Sequence, residues 1–262
     1  MSVSRSKKKG FWRQGRERMI ILGSVLALFV VVTVFGIIKG AAAYNAYKAH
    51  TVAPMTIERI RMANVNNADK LMIVAHPDDD VLWGGGHLME GGWLVVCITN
   101  GRNDTRSEEF AKVIEASGNA HLILEYPDKV NAVRDDWTEV IDGIKKDVDM
   151  LVTYKNWKMI ACHNPKGEYG HQHHKMTSAT VTGQCLAHGI LGKIRYFGKY
   201  YKKDKIDEVK DKLVRITDDQ LKFKEYLLTL YKSQSGTIEG LSHMNPYEMW
   251  QTYDEYYGES DK

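Results

Sequence analysis

The sequence has little cysteine: Cys97, Cys162 and Cys185 are the only three in 262 residues. They are far apart, odd in number and form no CxxC pair, which excludes a disulfide scaffold and a cysteine-rich zinc module. Each sits among apolar neighbours, so all three are expected as buried free thiols. Nucleotide fingerprints are also missing. Gly84, Gly85 and Gly86 do not extend to GxGxxG, because position 89 is Met, and no GxxxxGK[ST] occurs. No nucleotide cofactor is expected. The glycine triplet points instead to a helix packed closely on a sheet. No internal repeat or low-complexity tract is visible.

Acidic residues are scarce at one end. Residues 1–40 hold eight Lys/Arg against Glu17 alone, a net +7; the chain total is +3, so residues 41–262 carry −4. The basic character belongs to the leader, and a nucleic-acid footprint on the rest is not expected. Charge is absent altogether from Met19 to Ile38. A helix of that length, rising ~1.5 Å per residue, crosses the ~30 Å hydrocarbon layer of a bilayer. Basic residues crowd the short tail before it and few follow, so the tail is expected in the cytoplasm and the remainder outside. Phe11 and Trp12 are placed to sit at the interface. A cleaved signal peptide is the rival, with Ala41 to Ala43 as small residues for a peptidase, but its apolar stretch usually runs only about 7–15 residues. The expected division is a cytoplasmic basic tail (1–18), a transmembrane signal anchor (19–39), a linker and entry helix (40–68) and a folded domain (69–262). The expected location is the cell membrane, single-pass, with the lipid bilayer as a partner and the domain extracytoplasmic.

Beyond the anchor, short apolar runs alternate with helical patterns. Leu71 to Ala75, Trp93 to Thr99, His121 to Tyr126, Met159 to Cys162 and Ile194 to Tyr200 read as strands. Val81 to Glu90, Thr105 to Ser117, Asp136 to Tyr154, His171 to His188 and Asp218 to Lys232 read as helices. Thr105 is the expected cap of the second, with Glu108 at the capping-box position. Trp137 is counted with the apolar face of the third. The alternation predicts an α/β, Rossmann-like, mostly parallel sheet with helices on both faces.

Two clusters carry chemistry. His76-Pro77-Asp78-Asp79-Asp80 follows the first strand, and ligands in open α/β sheets bind beyond the carboxyl ends of strands. One imidazole and three carboxylates in five residues concentrate negative charge, which a divalent cation offsets. Glu168-Tyr169-Gly170-His171-Gln172-His173-His174 follows the fourth strand. With a helix starting near His171, residues 171 and 174 share a face and His173 points elsewhere. Two such His with a His/Asp pair from the other loop suit a zinc site with an open position.

With Ala75 to Asp80 and Gly170 to His174 in view, the chain resembles the PIG-L/LmbE-like family of N-acetylglucosamine deacetylases, whose marks are AHPDDE and a later GHxxH. Thr99-Asn100-Gly101 and Ser233-Gln234 resemble the family more loosely. The resemblance runs from about Lys70 to Gln234. It implies zinc, with ferrous iron as the alternative, on His76, Asp79 and His174. It implies Asp78 as general base, and His171 as the charged partner of the oxyanion and the proton donor to the leaving amine. Tyr169 is a further candidate near the oxyanion. The substrate it implies is a GlcNAc-type glycan or glycolipid, which the outward domain would place at the cell surface. A catalytically silent sugar-binding module and a deacetylase on the cytoplasmic side are the alternatives. Two departures stand out: Asp80 occupies a position usually held by Glu, and His173 one where several relatives have Asp, so something else orients His171 or nothing does. Arg106, Asn100 and Asn103, after the second strand, are candidates for sugar hydroxyls, with a surface ion pair to Glu109 the other reading of Arg106. His163 and Asn164, after the fourth strand, are candidates to line the pocket.

Overall fold

The computed structural model describes residues 3–258, and side chains from residue 16 to 258; the reading of the Phe11 and Trp12 side chains lies outside those described. The chain divides after Ala49 into two units. The first is a helix, α1 (Val3–His50), which contains the uncharged run. It is long and apolar enough to cross a membrane, and its apolar side chains are exposed along Met19 to Ile38. Residues 40–50, the first part of the stretch expected as linker and entry helix, continue this helix.

The second unit starts with α2 (Ile57–Met62) and then alternates: β1 (Lys70–Val74), α3 (Asp79–Leu88), β2 (Trp93–Thr99), α4 (Asp104–Ala116) and β3 (Ala120–Tyr126). A small hairpin of β4 (Lys129–Val130) and β5 (Val133–Arg134) follows, then α5 (Ile141–Thr153), β6 (Met159–Cys162), α6 (Gln172–Ala187) and β7 (Ile194–Tyr196). After α7 (Ile206–Val209) and α8 (Asp218–Leu228), β8 (Gln251–Thr252) closes one edge. The sheet order is β3-β2-β1-β6-β7-β8, parallel throughout except for β8 against β7.

Strand side chains alternate between faces, and the core divides accordingly. Leu71, Ile73, Leu94 and Val96 join Ile144 and Val148 of α5 and Val181 of α6 on one face. Met72, Val74, Val95 and Cys97 join Phe110 of α4 and Leu227 of α8 on the other. The central strands are covered on both sides, which is why they read as continuous apolar runs rather than alternating ones. The three cysteines are buried free thiols, as expected. The glycine triplet brings α3 close to its neighbours. A Cβ on Gly84 would lie 2.8 Å from Met72 of β1, and one on Gly85 would lie 2.7 Å from Lys224 of α8.

Several boundaries differ from expectation. α4 starts at Asp104 and its cap is Asn103, whose Oδ1 accepts the Arg106 N–H at 3.2 Å; Thr105 is inside the helix. α5 starts only at Ile141. Trp137 precedes it in a turn with φ +60°, held by its indole N–H donating to the Pro127 carbonyl at 2.7 Å. Its apolar spacing reflects burial, which loops also provide. α8 ends at Leu228, leaving Tyr231 in the following turn.

Candidate active site

The strand order reverses around β1: the chain runs outward through β2 and β3, then returns to β6 on the other side. A crevice at the carboxyl ends of β1 and β6 follows from that reversal. The His76 motif leaves β1, and the Glu168 to His174 segment leaves β6. The topology therefore joins two motifs about ninety residues apart in sequence, as the 4.7 Å separation of the His76 and His171 rings and the 5.4 Å separation of the His76 and His174 rings show.

The first motif is a tight turn into α3. Asp78, a non-glycine, has φ +113°, a strained conformation that surrounding bonds hold in place. Its N–H donates to Asp80 Oδ1 at 3.1 Å. Asp80 is fully buried and also accepts the Tyr231 hydroxyl, at 2.8 and 3.0 Å from its two oxygens. Tyr231 thus supplies a partner for a carboxylate one methylene shorter than Glu. Burial pushes Asp80 up to about 7. The His76 N–H donates to Asp79 Oδ2 at 2.9 Å, and His76 Nδ1 lies 3.1 Å from that same oxygen.

In the second motif, Gly167 takes φ +67°, and a Cβ there would lie 2.7 Å from the His171 carbonyl, so the loop needs glycine. The loop aims Glu168 inward. One oxygen accepts from His174 Nδ1 at 2.5 Å and from His163 Nδ1 at 3.0 Å; the other accepts the Asn164 N–H at 2.9 Å. With the Nδ1 proton given to Glu168, His174 presents a bare Nε2. That nitrogen is buried, has no hydrogen-bond partner and faces Asp79 Oδ2 at 3.3 Å. Two acceptors set against each other in a buried place are costly unless a cation or proton lies between them. The donor set of two imidazoles and a carboxylate, with a carboxylate behind one imidazole, fits a zinc-type ion. His76, Asp79 and His174 bring one ligand atom each within 4.8 Å of one another.

Electrostatics separates the two aspartates. Burial would raise Asp79, but the His174 and His163 rings outweigh it and hold the carboxyl well below its usual range. Burial and the adjacent Asp79 carboxylate push Asp78 well up, opposed by Arg106. Arg106 donates to the Pro77 carbonyl at 2.6 Å and lies 3.5 Å from Asp78 and 3.8 Å from Asp128. It belongs to this site, while Glu109 instead accepts from Ser233. His171 caps the entrance of α6, with its Nδ1 buried and unpartnered. Burial, then the His76 and His174 rings, push His171 down to about 2 in the site without substrate. Tyr169 is 46% exposed, its ring 5.5 Å from that of His174.

Residues 71–184 match a family model described as PIG-L, GlcNAc-PI de-N-acetylase. This stretch belongs to the PIG-L family. The match opens in β1 and closes within α6, so it contains both motifs. An uncharacterized protein of Acanthamoeba polyphaga mimivirus is 37% identical over 128 residues, or 42% of this chain and 55% of that protein. The chain therefore spans about half the length of that relative.

Within the PIG-L domain, three sequence expectations change. His163 is fully buried, accepts the Ala75 N–H at 3.0 Å and donates to Glu168, so it braces the floor of the site and lines no pocket. Asn164 is likewise buried, donating to the Phe197 and Gly198 carbonyls. Asn103 uses its side-chain oxygen as the α4 cap, and Asn100 donates to Thr99 Oγ1 at 2.6 Å, which in turn donates to the Ala75 carbonyl. Both asparagines shape the loop after β2, and among the described residues no hydrogen bond joins either to His76, Asp79 or His174. His173 does not point away: it is fully buried, with Nδ1 3.1 Å from His76 Nε2. Sequence reasoning assigned no role to Glu168, Asp128 or Tyr231. Glu168 lay inside the quoted cluster, and its spacing of six from His174 was the available signal. Asp128 and Tyr231 carried none.

Proposed function

We propose that the domain is a metal-dependent N-deacetylase, hydrolysing the acetamide of a GlcNAc-containing cell-surface glycan or glycolipid and releasing acetate. His76, Asp79 and His174 would hold the cation, zinc or ferrous iron. The observation that carries this reading is the bare, buried Nε2 of His174 facing Asp79, with Asp78 adjacent in sequence. A cation there supplies Lewis acidity, bringing water toward a pKa of ~7 and polarising an amide carbonyl.

The protein's own groups do the rest. Asp78, raised by burial, is a stronger base than an ordinary carboxylate and takes the proton of the attacking water. Arg106 holds the Asp78 loop through Pro77 and offers its guanidinium edge to sugar hydroxyls. His171 takes a proton from solvent as negative charge builds on the acetamide oxygen, because an adjacent anion favours the charged imidazole, while Asp78 later releases the water's proton to solvent. It then passes that proton to the amine nitrogen, without which an amide leaves poorly. Tyr169, exposed at the mouth, closes on the oxyanion side.

The basic tail and the apolar helix support a single-pass anchor with the tail in the cytoplasm and the domain outside. The test uses the full chain in detergent, with acetate measured from GlcNAc oligosaccharides and from a GlcNAc glycolipid. Release that stops with a chelator and returns with zinc supports the reading; no release from either class contradicts it. Reporter fusions at the two ends of the chain check the orientation.

A further inference from the structure

His173 is wired to the opposite side of His76 from the proposed cation. Its Nε2 lies 2.7 Å from the Asp135 carbonyl. A carbonyl only accepts, so the His173 proton sits on Nε2 and Nδ1 is a bare acceptor. That acceptor lies 3.1 Å from His76 Nε2. The other His76 nitrogen, Nδ1, faces Asp79. With Nδ1 given to a cation, His76 carries its proton on Nε2 and donates it to His173. Every nitrogen in the row then has a partner of the correct kind.

The row is anchored at its far end. Asp135 donates its N–H to the Asp128 carbonyl at 3.0 Å and accepts the Trp137 N–H at 2.8 Å. The Trp137 indole stacks on the His173 ring at 4.1 Å with an interplanar angle of 4°. Both are fully buried, so the ring has no freedom to turn. The other group facing His76 Nε2 is Asp128 Oδ1, at 3.5 Å and tied to Arg106 on its second oxygen. The closer and better-anchored acceptor is His173.

We infer that His173 is a positioning residue: it fixes the tautomer and ring angle of His76 and so sets the affinity of the cation site. This rests on the metal reading above. A partner behind a metal-bound His typically contributes 10–100-fold to affinity. His76, His171 and His173 also bring ligand atoms within 4.8 Å of one another, so a second ion held by His173 directly is the competing outcome.

The experiment is zinc titration of the full-length protein in detergent against a chromophoric chelator, with metal counted per chain and thermal melting recorded. The variants are His173→Phe, which keeps the stack on Trp137 and removes the acceptor, His173→Leu as a second such change, and His173→Asn, whose oxygen stands in for Nδ1. The expected result is one zinc per chain in wild type, affinity about 10–100-fold weaker in the Phe and Leu variants, and most of it restored in Asn at unchanged melting temperature. Wild-type affinity in Phe or Leu overturns the inference, as does equal weakening in Asn. Two zinc per chain with one lost in Phe overturns it in favour of His173 as a ligand. No zinc in wild type removes the metal reading itself.

Discussion

Replacing Glu168 with Gln tests how the site keeps His174 ready for a cation. The carboxylate accepts three donors: His174 Nδ1 at 2.5 Å, His163 Nδ1 at 3.0 Å and the Asn164 N–H at 2.9 Å. A carboxamide is nearly the same size but brings an NH₂ that cannot accept. If that NH₂ meets His174, the ring turns to its other tautomer and puts its proton on Nε2, the nitrogen that faces Asp79. Binding must then reverse the tautomer and break the new bond. A hydrogen bond to a charged group is worth about 1.5–3 kcal/mol, and each 1.4 kcal/mol is tenfold, so zinc affinity should fall roughly 10–100-fold. The assay is competition against a chromophoric chelator, with circular dichroism to confirm the fold. Unchanged affinity in a folded Glu168→Gln protein would refute the tautomer argument. The same substitution also removes the acceptor of His163 Nδ1, whose Nε2 accepts the Ala75 N–H, so the β1 end should loosen as well.

Two predictions concern the packing behind the site. Glu248 is buried and accepts from Lys224 Nζ, from the Gly86 N–H and from His87; burial would raise it, but Lys224 and His87 bring it down to about 2 from 4.5. A depressed folded pKa gives stability that is present above the unfolded value and lost as pH falls through the folded one. Wild type should therefore lose about 3 kcal/mol from this group between pH 4.5 and 2, and Glu248→Gln should be less stable at pH 7 with a flatter profile by urea unfolding; parallel profiles would contradict this. Gly85→Ala should destabilise by about 1–3 kcal/mol, because the new methyl lies 2.7 Å from the Lys224 stem and 2.8 Å from Val81; an unchanged melting temperature would show that α3 and α8 can separate.

The parts of this protein that the sequence disclosed are those governed by local pattern. The central strands are apolar runs because both faces are covered, and β2 and β6 have the boundaries that their runs suggest. The two motifs stand out because charged and imidazole residues are crowded where strands end. What stayed hidden depends on long-range contact. Asn103 outcompetes Thr105 as a cap through the loop from β2, and Trp137 sits in a left-handed turn because its indole finds Pro127. His163 looked like a pocket residue by position, yet Glu168 and Ala75 draw it into the buried floor against His174. His173 was expected to turn away on helical spacing alone. It lies on the first turn of α6, where the direction of the helix start brings it against His76 and Trp137. Tyr231, 151 residues from Asp80, shows how a shortened carboxylate can be met from elsewhere in the chain.

The central claim is that His76, Asp79 and His174 hold one cation while Asp78 moves the proton. It is tested most directly by counting metal and acetate together in full-length wild type, His174→Ala and Asp78→Asn. The expected result is one metal per chain and acetate release in wild type, loss of both in His174→Ala, and retained metal with activity reduced about 10²–10⁴-fold in Asp78→Asn. Full activity in Asp78→Asn, or a full complement of metal in His174→Ala, would contradict the account.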